Sequence, residues 1–573
     1  MFMATSLSGL FEIVVTLALV VAIARPLGGY MADVFENRRT ILTPILGPIE
    51  RAVYWAAGVK AKEEQEWDAY AISMVLFGGG CMLGLYALLR LQAWLPLNPQ
   101  GFPGVEPGLA FNIAVSFVTN ANWQAYAGET TLSNLSQMLG LTANNFMDSA
   151  AAIAVALALV RALSRSGATT VGNFWVDATR ATLYVLLPVS LVVALLFAAL
   201  GLPQTLAGSV ESSTLEGAKQ VISIGPVASQ EAIKLIGDNG GGFFNANSAH
   251  PFENPSVWSN ILQNWSQLVL PVALVFAFGR LVGEPRQGGA LLVTMAVVFL
   301  VALAVFYGVE AHGNPALTGL GVDPSQGNLE GKDLRFGQAG AALFVDATTG
   351  TGTGASNAVL ESMMPLSGMV AMFNLLLGCI SPGGVGTGLY SILLLVLITA
   401  FIGALMIGRT PEYLGKKINA RDMQFALFAL LLSPALVLAF AGASAVSKIA
   451  LDSLGAAGPH GLSEIVYAFA SSAADNGSAF AGLNANTPWW NVTTGVVMFL
   501  GRFAHAIPIL AIAGSLAAKT KAKPSAGTMP TDGPLFVVFL LAVILIITLL
   551  QYLPALALGP IAEHFLGARG QMF

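Results

Sequence analysis

The amino-acid sequence predicts an all-α polytopic membrane protein with ten transmembrane elements. Four repeats of span, pore loop and span are expected to surround a pseudo-fourfold axis, with one extra span at each end. The chain is 55% hydrophobic and 10% charged, with a mean hydropathy of +0.71, whereas soluble domains carry about 25% charged residues. Stretches rich in glycine, asparagine and threonine recur at intervals of roughly 120 residues, which is typical of an internally repeated chain.

The spans are predicted from apolar runs of about 20 residues, the length that crosses a bilayer. They lie at 8–24, 69–93, 140–163, 179–200, 258–280, 288–308, 388–407, 423–446, 491–517 and 534–556. A further apolar piece at 364–380 is too short to span, and the broken stretch 381–388 follows it. We interpret 364–407 as one transmembrane element interrupted by a coil, because non-helical backbone at that depth survives only inside protein or beside a cavity.

The glycines of this coil are candidates for a pathway or gate: Gly383, Gly384, Gly386 and Gly388. They let the chain leave the helix beneath the pore loops. A passive kink, or close helix packing through small residues, is the alternative.

The distribution of basic residues predicts which loops face the cytoplasm, because such loops carry an excess of lysine and arginine. Most basic residues fall in alternate loops: Arg25, Arg38, Arg39, Arg51, Lys60, Lys62, Arg161, Arg165, Arg180, Arg280, Arg286, Arg409, Lys416, Lys417, Arg421, Lys519, Lys521 and Lys523. With ten spans this places both termini outside. The first apolar run has no basic residue before it, so we expect a retained anchor rather than a cleaved signal peptide. Cys81 and Cys379 lie in apolar segments and suggest no disulfide framework.

The repeats divide the chain into six predicted units. Residues 1–67 are the N-terminal span and a cytoplasmic loop, and residues 524–573 are the C-terminal span. Between them lie repeat 1 (68–165), repeat 2 (166–287), repeat 3 (288–420, whose last span is interrupted) and repeat 4 (421–523).

Each predicted pore loop follows a short helical segment with small and polar residues. The residues expected to bind a cation are Thr119, Asn120, Ala121 and Asn122 in the first loop, Asn239, Gly240 and Gly241 in the second, Thr353, Gly354 and Ala355 in the third, and Asn476, Gly477 and Ser478 in the fourth. Glycine allows conformations in which carbonyl groups converge, and a helix C-terminus adds partial negative charge. An isolated turn is the alternative for one such stretch, but four recurrences favour a shared cation filter.

The loop chemistry favours potassium over a divalent ion. Uncharged oxygens can replace the hydration shell of potassium, whereas calcium and magnesium usually take carboxylates. Asp238 and Asp475 open two of the loops. We expect them to support the filter from behind rather than to touch the ion.

Arg502 lies near the middle of a predicted span, where a charge costs about 2.5–3.5 kcal/mol even on the lenient insertion scale. It shares a helix face with Asn491, Thr494 and His505. We therefore expect it to face the bundle interior, where a lone positive charge below the filter would oppose a potassium leak. Pairing with Asp148 or Glu361 in a structural role is the alternative.

Several long motifs resemble one family of membrane proteins. They are Thr119-Asn120-Ala121-Asn122-Trp123-Gln124, the stretch from Asp238 to Asn247, the stretch from Gly408 to Lys417, and the stretch from Asn476 to Gly482. Along essentially its whole length the chain resembles the channel-like A subunits of Kdp potassium-transporting ATPases. The third loop is the least conclusive part of this resemblance.

The resemblance implies a potassium-selective subunit of an ATP-driven uptake complex in the bacterial inner membrane. It implies three partner chains: a P-type ATPase subunit, a single-span subunit and a very small subunit. It also implies that potassium passes the filter and then moves sideways through a tunnel, with Gln124 placed on the pathway or gate.

The sequence offers no catalytic constellation. The histidines, His250, His312, His460, His505 and His564, show no metal-ligand spacing, and neither a phosphate loop nor an Asp-Lys-Thr-Gly motif occurs. We therefore expect no ATP, other organic cofactor or nucleic acid to bind, and potassium to be the transported ion. The alternative function is a stand-alone channel or symporter subunit of the Trk/Ktr type.

Overall fold

Long apolar helices make up most of the described chain, which comprises residues 7–522 and 528–569 of a computed structural model. In chain order the first helices are α1 (Leu7–Phe35), α2 (Thr43–Ala56), α3 (Trp67–Leu91), α4 (Pro107–Val118), α5 (Gly128–Thr131), α6 (Ala143–Ser164), α7 (Phe174–Arg180), α8 (Leu187–Ala199), α9 (Val227–Ile236), α10 (Val257–Leu281) and α11 (Pro285–Ala311). The remaining helices are α12 (Pro315–Gly319), α13 (Gly337–Thr351), α14 (Pro365–Leu376), α15 (Thr387–Met406), α16 (Ala420–Ala445), α17 (Lys448–Leu451), α18 (Gly458–Ala473), α19 (Pro488–Phe499), α20 (His505–Ala518), α21 (Pro534–Leu556) and α22 (Ala562–Gly567).

Four wider helical turns interrupt or extend the spans. The turn Ser136–Thr142 leads into α6, and the other three join α7 to α8, α19 to α20, and α21 to α22. Two small antiparallel hairpins lie between helices: β1 (Val210–Ser213) with β2 (Lys219–Ile222), and β3 (Glu412–Tyr413) with β4 (Lys416–Lys417). The all-α prediction did not include these hairpins.

The ten predicted transmembrane elements are confirmed. In the described residues ten helices are long and apolar enough to cross a membrane. The predicted interrupted element corresponds to α14, a coil and α15. The coil occupies 377–386 rather than 381–388, so that Gly388 lies inside α15.

Burial separates the spans into an inner and an outer set. In the inner set, which comprises the spans containing α6, α10, α15 and α20, between 67% and 83% of the most apolar window is buried. In the other six spans that share lies between 28% and 44%. Each repeat therefore contributes an outer first span and an inner second span, as a pseudo-fourfold arrangement requires.

Local signals at the helix ends agree with this arrangement. Asn419 and Asp422 cap α16 reciprocally, each side chain accepting the other residue's backbone N–H, which satisfies two amides that a helix start leaves free. Pro107 begins the short helix α4, where its missing N–H costs nothing. The Glu106 carboxylate accepts the Leu109 N–H at 2.9 Å.

The extra N-terminal span packs closely on the inner helix of repeat 2. A Cβ on Gly28 of α1 would lie 2.4 Å from the carbonyl oxygen of Ala273 in α10, so a larger residue would force the two helices apart. The C-terminal span contacts α11 and α15, and its last turns contact α14 and α18. Both extra spans therefore lie around the outside of the fourfold core.

Basic residues from separate predicted cytoplasmic loops lie at one end of the molecule and are paired there. Arg165 Nη1 lies 2.7 Å from Glu64 Oε2, and Arg280 Nη2 lies 2.6 Å from Asp33 Oδ1. The first pair links two loops, and the second links the ends of α1 and α10. Lys523, which the charge pattern places in the last of these loops, lies outside the described residues. The paired arginines, which the sequence pattern assigns to cytoplasmic loops, therefore lie on one face of the fold.

Candidate potassium filter

Four short pore helices, α4, α9, α13 and α18, each end in one of the predicted pore loops. Their C-terminal residues are almost completely buried. Backbone amides of the loops fold back onto these helices: Asn239 N donates to Lys234 O at 2.8 Å, and Asn476 N donates to Ser471 O at 3.0 Å. Since a helix C-terminus carries partial negative charge, the four helix ends favour a cation near the loops.

The four loops share one backbone pattern of three residues. The first and third residue of each triplet have a positive φ, and the middle residue does not: Asn120 and Asn122 flank Ala121, Asp238 and Gly240 flank Asn239, Gly352 and Gly354 flank Thr353, and Asp475 and Gly477 flank Asn476. Glycine fills the third position in three loops, where a left-handed conformation would strain other residues. We call these the filter triplets.

Adjacent triplets are in close backbone contact. A Cβ on Gly240 would lie 1.8 Å from Thr353 O, one on Gly354 would lie 1.7 Å from Asn476 O, and one on Gly477 would lie 1.8 Å from Ala121 O. The third residue of each of these triplets thus lies against the middle carbonyl of the next. Three of the four junctions of a closed ring are therefore formed in the same way.

The first triplet departs from this pattern, because Asn122 takes the place of glycine. Its φ is 50°, and its side chain is buried. In the described part of the chain neither polar atom of the amide has a hydrogen-bond partner. The Oδ1 atom lies 2.7 Å from where a Cβ on Gly241 would be, so the amide lies against the second loop.

Side chains tie the triplets to one another. Asn120 Nδ2 donates to Asp238 O at 2.7 Å, and Asn239 Nδ2 donates to Asn120 Oδ1 at 2.5 Å. Asp238 Oδ1 accepts from Thr353 Oγ1 at 2.9 Å. The Asp238 carboxylate therefore joins the second loop to the third.

The remaining predicted site residues flank the triplets. Thr119 Oγ1 donates to Val115 O of its own pore helix at 3.0 Å. Ser478 Oγ is bonded to Tyr467 OH at 2.8 Å, and Ala355 and Gly241 directly follow their triplets. Gln124 donates to Gly242 O at 3.1 Å and accepts from Gly242 N at 2.9 Å, so it ties the first loop to the second.

Sequence reasoning missed a polar support behind the second loop. The fully buried Lys234 amine donates to Glu231 and Glu253, each at 2.9 Å, and Glu253 Oε1 accepts the Phe244 N–H at 2.8 Å. Asn247 Nδ2 donates to Gly240 O at 2.7 Å. In the sequence, Asn247 was marked by the motif from Asp238 to Asn247 and by the Asn-Ala-Asn that recurs at 484–486.

The interrupted span lies directly beneath the third pore helix. Ser381 N and Gly383 N both donate to Gly350 O, at 3.0 and 3.2 Å. A Cβ on Gly386 would lie 2.4 Å from the backbone of Ala152 in α6, and one on Gly384 would lie 2.2 Å from Thr387 Oγ1. A Cβ on Gly383 would likewise lie 2.4 Å from the Cα of Gly388. The coil is therefore packed between the filter and an inner helix.

Arg502 is buried in a wider turn between α19 and α20, but it is not a lone charge. Its Nη1 lies 3.3 Å from Asp475 Oδ2, and its Nη2 donates to Asp148 O at 3.1 Å. The expectation of an isolated positive charge was therefore wrong, because the aspartate that opens the fourth triplet faces the guanidinium. Glu361, one of the two alternative partners considered for Arg502, lies beside His460 instead. A cavity of about 20 Å³ borders Arg502, Asp148 and Tyr390.

Comparisons with known proteins point to one family. Residues 14–565 match the protein-family model KdpA, described as the potassium-transporting ATPase A subunit. A relative from Allorhizobium ampelinum is 56% identical over 559 residues, which is 98% of either chain. A relative from Granulibacter bethesdensis is 53% identical over 568 residues, which is 99% of this chain and 100% of the relative. Both are named potassium-transporting ATPase potassium-binding subunit.

The chain is also similar in structure to the potassium transporter TrkH from Vibrio parahaemolyticus. The TM-score is 0.50, the sequence identity is 14%, and the match covers 87% of this chain and 97% of the other. A likeness at that identity concerns the fold. It confirms the pore-loop architecture of the four repeats.

Proposed function

Since this chain belongs to the family of potassium-transporting ATPase A subunits, we propose that it binds potassium at its four filter triplets as the translocating subunit of an ATP-driven uptake complex. The observation that carries the proposal is the shared triplet conformation, with the third residue of one loop against the middle carbonyl of the next. Alternating left-handed residues let successive carbonyl groups face one side. Rings of such carbonyls replace the hydration shell of a potassium ion.

The charged groups near the triplets favour a monovalent ion over a divalent one. Asp238 is engaged with Thr353, and Asp475 faces Arg502. The oxygens left to meet an ion are mainly backbone carbonyls and the amide oxygen of Asn122, although Asp238 Oδ2 and Asp475 Oδ1 also lack a hydrogen-bond partner among the described residues. Neutral oxygens favour a large monovalent cation over calcium or magnesium, which prefer carboxylates.

The path below the filter is proposed to pass the interrupted span. The coil 377–386 lies under the third pore helix, so its movement would open or close the space beneath the triplets. Arg502, paired with Asp475 of the fourth triplet, would contribute to the charge of that space. From there the ion would move sideways toward the ATPase subunit, as the family resemblance implies.

The energy source and the partners are also proposals. We place ATP hydrolysis in a separate P-type ATPase subunit and assign a single-span subunit and a very small subunit to the same complex. The names of the relatives, which refer to an ATPase, support the ATPase partner, whereas the two smaller subunits rest on the family resemblance alone. We further place the complex in the bacterial inner membrane with both termini outside, since the paired arginines gather at one end of the fold.

The test is potassium uptake into vesicles that contain this chain with or without its three proposed partners. We expect uptake that requires ATP and the P-type ATPase subunit. ATP-independent potassium uptake by this chain alone would instead support the stand-alone channel or symporter. Uptake that discriminates poorly between potassium and sodium would contradict the filter.

A further inference from the structure

We propose that Glu361, His460 and Glu464 form a binding site for a divalent transition-metal ion beside the fourth pore loop. The site is separate from the filter triplets. Glu361 lies in the short turn Leu360–Ser362 that follows the third pore loop, and His460 and Glu464 lie in the first turns of α18. A bound ion would therefore join repeat 3 to repeat 4.

The three side chains already bring suitable ligand atoms together. The imidazole nitrogen and one carboxylate oxygen from each glutamate all lie within 4.8 Å of one another. In a tetrahedral zinc site with bonds near 2.0–2.2 Å, ligand atoms lie roughly 3.3–3.6 Å apart. Since His460 Nε2 and Glu361 Oε1 are 2.8 Å apart, an ion would replace the hydrogen bond between them and shift the three side chains to this spacing.

Glu464 supplies a second, independent sign of a ligand. Its side chain is fully buried, and in the described residues its Oε1 atom has no hydrogen-bond partner. The other oxygen, Oε2, accepts the Gly455 N–H at 3.1 Å, which holds the carboxylate in place. A buried carboxylate oxygen without a donor is costly, and a cation at this point would satisfy it.

Gly482 leaves the space in which such a cation would fit. A Cβ on Gly482 would lie 2.7 Å from Glu361 Oε1 and 2.8 Å from Glu464 Oε1. Both oxygens thus border a space that any side chain would occupy. The Gly482 N–H donates to Glu361 Oε2 at 3.1 Å, so the backbone that leaves the space open also positions one carboxylate.

A third carboxylate orients the histidine. Glu563 Oε1, in α22, lies 2.8 Å from Nδ1 of His460, while Nε2 lies 2.8 Å from Glu361 Oε1. In metal sites a carboxylate on one ring nitrogen fixes the tautomer and directs the other nitrogen to the ion. Three carboxylates around one imidazole also leave surplus negative charge for a divalent ion to balance.

The donor set indicates the class of metal. One imidazole nitrogen with two carboxylate oxygens suits zinc, cobalt or nickel, whereas magnesium and calcium are bound by oxygen alone. The site also contacts the filter region through stacked rings: His460 packs on Phe480, and Phe480 packs on Tyr467, whose hydroxyl is bonded to Ser478.

The experiment uses the purified complex, freed of any histidine tag and of bound metal, and titrates it with Co²⁺. We expect the visible d–d absorption of low-coordinate Co²⁺ to rise and then saturate. At saturation the parent complex should bind one Co²⁺ ion per chain more than the Glu464→Gln complex. His460→Gln should lose the same absorption. Glu563→Gln should retain it with an affinity about 10–100-fold weaker, since Glu563 acts through the histidine.

Two further variants keep the test decisive. Gly482→Ala should abolish the absorption by filling the space without removing a charge, and this variant serves if the glutamate variants do not assemble. His312→Gln is the matched control: its ring is exposed, and it should bind Co²⁺ as the parent does. The proposal would be overturned if the parent, Glu464→Gln and Gly482→Ala complexes bound the same number of Co²⁺ ions per chain at saturation. The absence of saturable absorption in the parent would also overturn it. Glu361 and Glu464 would then share a proton instead of binding a metal ion.

Discussion

At the scale of single residues, the third position of a filter triplet is where one added carbon atom has the clearest consequence. A Cβ on Gly240 would overlap Thr353 O at 1.8 Å. For Gly240→Ala we expect the KM for potassium to rise at least tenfold, which corresponds to about 1.4 kcal/mol, and discrimination against ammonium to fall. Transport assays with potassium, rubidium and ammonium measure both effects.

Gly217→Ala is the matched control for backbone strain. Gly217 has a φ of 82°, close to the 86° of Gly240, but no described atom lies within 4 Å of its missing Cβ. An alanine there should cost about 1 kcal/mol of stability and leave transport unchanged. If Gly240→Ala behaves in the same way in intact protein, the filter assignment is wrong.

Arg502 carries a residue-scale prediction about a buried ion pair. Arg502→Gln leaves the Asp475 carboxylate buried without its partner, and breaking such a pair costs about 3–5 kcal/mol. We expect a lower thermal midpoint of the purified complex and a larger passive potassium leak. Arg165→Gln breaks a half-exposed pair with Glu64 and should cost less than about 1 kcal/mol.

The double variant Arg502→Gln/Asp475→Asn separates charge pairing from packing. It removes both charges, so part of the lost thermal stability should return if the pair matters. Equal midpoints for Arg502→Gln and the parent would show that the ion pair contributes nothing to stability.

At the scale of one element, the coil 377–386 is packed too closely to tolerate bulk where it meets α6. A Cβ on Gly386, whose φ is 90°, would lie 2.4 Å from the backbone of Ala152. We expect Gly386→Ala, or deletion of residues 384–387, to displace the coil and raise passive potassium leak in ATP-free vesicles. Gly308→Ala in α11 should leave the leak as in the parent, because no atom of the described residues lies within 4 Å of the added Cβ.

A gate and a passive kink differ in what the displacement changes. If the coil is only a kink, Gly386→Ala should lower the thermal midpoint while leak and ATP-driven uptake per folded complex stay at the parent values. A change in leak without a matching loss of folded complex supports the gate.

At the scale of the whole molecule, features that depend on local pattern could be predicted from the sequence. Apolar length identified the ten spans, and the glycine-rich stretch 381–388 indicated the interrupted one. An interval of roughly 120 residues does not fix which positions of two loops correspond, whereas the backbone makes Gly352 equivalent to Asp238, and Gly354 equivalent to Gly240. Such a two-residue difference in register depends on where each pore helix ends and on how neighbouring loops pack. The interval between motifs carries no information on either.

Contacts between distant segments could not be predicted in the same way. Arg502 meets Asp475, 27 residues away, because a wider turn rotates it toward the fourth pore loop. His460 was dismissed for lack of histidine spacing, yet its partners are glutamates 99 and 103 residues away. Only the packing of repeats 3 and 4 against the C-terminal span brings these groups together.

The orientation of the whole chain is the last prediction, and two exposed positions at opposite ends test it. Glu216 lies in the exposed turn between β1 and β2, before the second pore helix, and Lys62 lies in the exposed loop before α3. If both termini are outside, a membrane-impermeant maleimide should label Glu216→Cys in intact cells. Lys62→Cys should be labelled only after permeabilisation. The parent chain is the control for its own two cysteines, of which Cys379 is buried and Cys81 half-buried. The reverse labelling pattern would place the filter on the cytoplasmic side and contradict uptake from outside.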